Sequence, residues 1–188
     1  MAQTEPRDGD DGNMGMNARK GPNVMTPTER NNRDRDRDGG NMDSYTRTLR
    51  IHVSPHKLYE AVTTVPGIKG WWATDTVENN GEFTVRFGAE NFQTMRLLDP
   101  VPDKSVGWEW IAQYFPVEGT TQTDEWVGTS VLFAIQANDD GSSTLVFTHQ
   151  GLTPHVVCYG LCTSGWNHYL ESLKGYLEQG KGAPSRNG

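Results

Sequence analysis

The sequence predicts an α+β domain: a curved antiparallel sheet of about seven strands around a long C-terminal helix, with two short helices after the first strand. Three observations predict it. His155, Tyr159, Cys162, Trp166, Leu170, Leu173 and Leu177 follow one another at intervals of three or four, one stripe of a helix over Pro154 to Gly180. Between Asp75 and His149 the pattern changes to alternation, with hairpin-like links that imply antiparallel neighbours. One helix cannot cover so many strands unless the sheet curls around it, which leaves space between them.

Each element has its local reason. Arg47, Leu49, Ile51 and Val53 alternate with Thr46, Thr48, Arg50 and His52, a half-buried strand. Ser54-Pro55 opens a short helix carrying Leu58, Tyr59, Ala61 and Val62, and Pro66-Gly67 breaks it. Ile68 to Trp72 forms a further turn. Gly81-Glu82 reads as a hairpin turn between 75–78 and 83–87, where Phe83, Val85 and Phe87 share a face. Phe92 to Leu98 follows, then a Pro100/Pro102 loop and a strand with Val106, Trp108 and Trp110 on one side. Tyr114 to Glu125 is a polar loop, a candidate gate. Trp126 to Ala137 is the next strand, and Asp139-Asp140-Gly141 turns into 143–149, where Leu145, Phe147 and His149 align. Thr153-Pro154 reads as the N-terminus of the last helix, with Asn167, Glu171, Lys174 and Glu178 opposite its stripe. At about 25 residues it is roughly 37 Å long, and Gly160, Gly165 and Gly175 make it dependent on packing.

Composition bounds the function. Of 188 residues with a net charge of −7, all six tryptophans fall after residue 70. An acidic chain argues against nucleic-acid partners, and no apolar run argues for membrane insertion. Residues 1–43 contain no Trp, Phe, Tyr, Leu or Ile, and read as a disordered tail. Within it Asp34, Asp36 and Asp38 match half of a calcium loop, but Tyr45 stands where a bidentate Glu belongs. The folded domain is expected over 44–182, with a flexible end at 183–188. Cys158 and Cys162 are four apart on the expected helix, where geometry disfavours their pairing. They read as free thiols, and with no secretory leader apparent they suggest a cytoplasmic protein.

The motifs Trp126-x-Gly128-Thr129, Phe133 and Thr144-Leu145-x-Phe147-x-His149-x-Gly151-Leu152 resemble the closing strands of the START-like (SRPBCC) superfamily. Their branch is the AHSA-like one, named after the activator of the heat-shock protein 90 ATPase. Gly165-Trp166-x-x-Tyr169-Leu170-x-Ser172-Leu173-x-x-Tyr176-Leu177-x-x-Gly180 is similar to its terminal helix. Ile51-x-Val53-x-Pro55-x-x-Leu58-Tyr59-x-Ala61-x-Thr63 and Gly70-Trp71-Trp72 resemble its opening. The resemblance implies a helix-grip fold over roughly 45–182 and leaves the chemistry open.

The candidate site is a hydrophobic ligand-binding cavity lined by Trp72, Phe87, Trp108, Trp110, Phe133, Phe147, His149, Trp166, Tyr169, Leu170 and Leu173. The plainer reading of these rings is a filled core. The leading expectation is a binder of an apolar or aromatic small molecule without a cofactor. A polyketide-cyclase or dehydratase-like enzyme using His149 and Tyr169 is the alternative, against a His149 that simply closes the sheet. A third reading is a co-chaperone-like contact with a chaperone ATPase through the sheet's outer face. His155, Cys158 and Cys162 share a helical side, but lack the usual zinc spacings, and no metal site is assigned. Arg96 falls in the phase of Phe92 and Leu98, where it would hold a ligand carboxylate at a cavity mouth or, more ordinarily, lie over the surface. Oligomeric state is not legible.

Overall fold

The computed structural model describes residues 44–186. The expected tail and its half calcium loop lie outside them. Seven strands form one antiparallel sheet: β1 (Ser44–Ile51), β2 (Asp75–Asn79), β3 (Glu82–Phe87), β4 (Asn91–Val101), β5 (Ser105–Tyr114), β6 (Ser130–Ala137) and β7 (Ser143–Gln150). Their order is β1-β7-β6-β5-β4-β3-β2. Two short helices, α1 (Pro55–Thr63) and α2 (Val65–Trp71), follow β1, and a long helix α3 (Tyr159–Gln179) ends the fold. This is the expected α+β architecture.

The strands follow from alternation. In β7, Ser143, Leu145, Phe147 and His149 are buried while Val146 and Gln150 are exposed. The β2–β3 turn is Asn80-Gly81, one residue earlier than expected, and both residues have positive φ (54° and 82°). That is the conformation a two-residue hairpin requires, and Asn and Gly tolerate it best. Trp126 belongs to no strand, because β6 starts only at Ser130. The 126–129 turn is closed instead by hydrogen bonds from Thr129 N to Trp126 O and from Gly128 N to Trp110 O.

Ser54 caps α1 by accepting from Lys57 N, and Thr64 caps α2 by accepting from Gly67 N. Pro66-Gly67 therefore lies in the first turn of α2 and does not separate two fragments. Gly67 lets the two helices touch. A Cβ there would sit 2.5 Å from Glu60 O and 2.6 Å from Ala61 Cα. Both are backbone atoms that cannot step aside, so Gly67→Ala is expected to lose about 1–3 kcal/mol in a urea titration despite better helix propensity.

The last helix starts at Tyr159, five residues later than expected, because its cap comes from elsewhere. Thr153 Oγ1 takes only His155 N, in a local turn, whereas the Glu125 carboxylate accepts from Val157 N and Cys158 N. Trp166, Leu170 and Leu173 are the buried part of the stripe. The opposite side is not free: Tyr45 and Arg47 bind Asn167, Arg47 pairs with Glu171 at 3.0 Å, and His52 binds Glu178. Strand β1 thereby clamps the helix that its sheet surrounds. The end expected to be flexible from 183 is pinned as far as Ser185. Ala183 N donates to Ser172 Oγ, while Ser185 bonds Trp72 O and Thr74 N.

Candidate functional site: an aromatic cavity between the last helix and the sheet

All six tryptophans meet in one cluster. Trp108, Trp72, Trp166 and Trp126 form a column of near-parallel indoles with centroids 5.1–5.8 Å apart, and Trp71 stacks beside Trp72 and Trp108. Trp110 stands edge-on to Trp126 and Trp166. Such contacts add to the area they bury. Buried indole N–H groups need acceptors, and the fold supplies them. Trp71 and Trp108 donate to Ala61 O and Val62 O, carbonyls freed at the end of α1. Trp110 donates to Gln93 Oε1, Trp126 to Cys158 Sγ and Trp166 to His149 Nδ1.

His149 is enclosed by this network. It is fully buried and lies flat against Trp110, with ring centroids 5.2 Å apart. The Trp166 indole can only donate, so Nδ1 is an acceptor and the ring proton is on Nε2. Nε2 donates to Thr129 Oγ1 at 2.9 Å, and that hydroxyl donates in turn to Trp126 O. Both ring nitrogens are therefore engaged in the neutral form. Burial pushes the His149 pKa down to about 3.

Beside the column is a cavity of about 280 Å³. Its rings are Trp72, Phe87, Phe115, Trp126, Trp166 and Tyr169, and Asn91, Gln93 and Gln113 supply amides. The disulfide of Cys158 and Cys162 also borders it, with Leu161 and Gly165 of α3 and Ser185 of the returning C-terminus. Of the residues assigned to a cavity from sequence, Trp72, Phe87, Trp166 and Tyr169 border it. Trp108, Trp110, Phe133, Phe147, His149, Leu170 and Leu173 are buried in the packed interior. His149 and Tyr169, paired in the enzymatic reading, thus stand in different surroundings. Burial raises the Tyr169 pKa, so its phenol keeps its proton at neutral pH.

One expectation is corrected. Cys158 and Cys162 are bonded, not free. Cys158 precedes the helix as its cap residue, and the Cα atoms are 5.5 Å apart, within the span a disulfide bridges. The argument from thiols for a reducing compartment goes with them. The Arg96 side chain lies on the outer face of β4, bound to Glu109 at 2.8 Å, which is the more ordinary of its two readings and leaves it away from the cavity. The inward phase of β4 is Gln93, Met95 and Leu97.

Sequence reasoning missed the amides. Thr94 pairs with Ala112 but Met95 with Trp110, so Ile111 is an extra residue in β5. This bulge reverses the strand's phase and puts Gln113, opposite the inward Gln93, on the cavity side. Gln93 could have been found from its phase with Met95. Gln113 had no signal in the periodicity.

Comparison with known proteins agrees with this architecture. A dimeric Aha1 solution structure from Colwellia psychrerythraea is 26% identical, covering 74% of this chain and 98% of its own, with a TM-score of 0.61. A protein from Mesorhizobium loti is 20% identical over 72% of this chain and 97% of its own, with a TM-score of 0.57. DynU16, from the dynemicin biosynthetic locus, is 17% identical over 74% and 49%, with a TM-score of 0.54. The last two likenesses concern the fold alone. No curated protein matches. Residues 52–178, more than half of the chain, match the family described as Activator of Hsp90 ATPase homolog 1-like protein. With this helix-grip architecture and this match, the chain belongs to the Activator of Hsp90 ATPase homolog 1-like family.

Proposed function

We propose that the protein binds an uncharged aromatic or apolar small molecule in the cavity between α3 and the sheet. The observation that carries the reading is the cavity itself, about 280 Å³ bordered by six aromatic rings. An engineered apolar cavity of about 150 Å³ already admits benzene. Among the described residues no Lys, Arg or His borders it, and its one carboxylate, Glu125, has both oxygens on backbone N–H groups. An anionic ligand would meet no counter-charge there, while the amides of Asn91, Gln93 and Gln113 suit a hydroxyl or carbonyl. Burial of about 300 Å² of ligand would contribute on the order of 7 kcal/mol before association costs, which points to micromolar affinity. The 115–129 loop, which carries Phe115, Val117, Glu125 and Trp126 to the cavity, is the gate.

The test is tryptophan fluorescence titration with 2-naphthol and 2-naphthoate, beside native mass spectrometry of freshly purified protein for a co-purifying molecule. Naphthol is expected to bind about tenfold or more tighter than the naphthoate anion. Gly165 supplies the control. A Cβ there meets no atom within 4 Å, so the backbone accepts a side chain and Gly165→Leu directs its remaining carbons into the cavity. That variant is expected to gain about 1 kcal/mol of helix propensity and lose naphthol binding. Unchanged binding in it overturns the site.

A chaperone-contact reading has its own observation besides the family description. Leu98 and Leu132 are exposed on the sheet's outer face, on either side of Gly107 in register, with Val146 nearby on the same sheet. A pull-down with a purified chaperone ATPase, comparing the wild type with Leu132→Glu, tests it. Equal retention of the two removes that surface.

A further inference from the structure

We propose that the Cys158–Cys162 bridge is a thiol-exchange site in the cavity wall, and that its reduction releases the loop that closes the cavity. The second half rests on the binding reading above; the first stands on the bridge and its surroundings. Both cysteines border the cavity, Cys158 fully buried and Cys162 half-buried. A small thiol entering past exposed Leu161 and the open space at Gly165 therefore meets Cys162 first.

The loop's attachment converges on the same turn. Glu125 accepts from Val157 N at 3.2 Å and Cys158 N at 3.1 Å, and the Trp126 indole donates to Cys158 Sγ at 3.4 Å. Besides the bridge and Glu125, the turn is held by backbone bonds from Tyr159 N to Val156 O and from Cys162 N to Cys158 O, and by Thr163 Oγ1 on Tyr159 O. The cap residue of α3 makes no side-chain capping bond, the first turn contains no acidic residue, and Gly160 lies within it. The bridge ties that cap residue to a position one turn into the helix.

The chemistry balances with a low-molecular-weight monothiol as reductant. Its thiolate attacks Cys162 Sγ, the S–S bond breaks, and the electron pair leaves on Cys158 Sγ. The Trp126 N–H and the helix N-terminus favour charge on that sulfur, against the nearby Glu125 carboxylate. A second thiolate attacks the reductant's sulfur in the mixed disulfide and expels Cys162 thiolate. Two thiols become one disulfide, and both cysteine sulfurs take up protons. Without the bridge the first turn of α3 loosens, and the two Glu125 bonds to Val157 N and Cys158 N lose their fixed partners.

The experiment uses the full oxidised chain. It is incubated with reduced glutathione in native buffer, quenched with acid and peptide-mapped by mass spectrometry. The first adduct is expected on Cys162. An adduct that forms only in denaturant, or first on Cys158, overturns the exchange site. Stopped-flow dissociation of 2-naphthol is then compared between the oxidised and fully reduced chains, with far-UV circular dichroism confirming that both are folded. Release is expected to be about five- to tenfold faster from the reduced chain, the share of about one docking hydrogen bond. Equal rates overturn the latch, and so does a folded Cys158→Ser/Cys162→Ser variant that releases as slowly as the oxidised chain. If neither redox state binds naphthol, the binding reading and the latch fall together, while the adduct map still decides the exchange site.

Discussion

Replacing Trp166 with alanine is expected to remove about 3–5 kcal/mol of stability in a urea titration, in the range of buried aromatic truncations. The indole lies between Trp72 and Trp126, at 5.8 and 5.6 Å, so its loss opens the column from the inside. It also takes the only donor that the described residues offer to His149 Nδ1. An acceptor left unpaired in the interior adds a cost of its own. Domains have about 5–15 kcal/mol in total, so the loss is between about a fifth and the whole of that reserve. Trp166→Phe separates the two contributions, since it keeps a ring in the column and deletes the N–H. A loss below about 1 kcal/mol for the alanine variant would mean that the column is not what stabilises this core.

The second large effect is on acid stability. The pKa of His149 is about 3 in the folded chain and about 6.5 when unfolded. Above pH 6.5 both states leave the ring neutral, and the difference contributes nothing. As pH falls through 6.5 the unfolded state takes up a proton that the folded state refuses, so stability declines until the pH nears 3. The limit of this contribution is about 5 kcal/mol. Asp140, held down to about 2 by hydrogen bonds from Ser142 and Arg50, acts in the same direction but only below the ordinary carboxylate range. His56, raised by its bond to Asp103, acts mainly above this range and Glu178, which is lowered, mainly below it, so the interval from pH 6.5 to 4.5 reports chiefly on His149. Thermal unfolding across it is expected to show a falling midpoint for the wild type and a nearly flat one for His149→Gln. Parallel curves would remove His149 as the cause. For the cyclase-like alternative the same substitution is informative: a residue with both nitrogens engaged in packing is expected to change stability, not turnover.

The elements were legible because alternation and three-to-four spacing are imposed by local geometry. Leu145, Phe147 and His149 on β7, or Leu170 and Leu173 on α3, declare their face from spacing alone. What sequence spacing could not show was set by partners far along the chain. The start of α3 is decided by Glu125, the pairing of Cys158 by its position just outside the helix, and the direction of Gln113 by one extra residue at Ile111. The cavity shares that origin. Trp108 and Trp110 have the same inward phase as cavity residues on neighbouring strands, yet the column fills the space in front of them. Phe115 and Trp126 reach the cavity from a loop that has no periodicity to read.

The pairing of the first strand with the last has a consequence for how the chain is made. Ile51 lies opposite Ser143 and Ser44 opposite Gln150, so β1 has no neighbour until nearly all the polypeptide has left the ribosome. Arg47 and Tyr45 must wait longer still, for Asn167 and Glu171. Contacts so distant in sequence fold slowly and leave β1, with its unpaired backbone and the apolar Leu49 and Ile51, uncovered meanwhile. Nascent chains stalled before Gln150 should therefore be readily cut by proteases within β1, with protection arriving only when α3 has emerged.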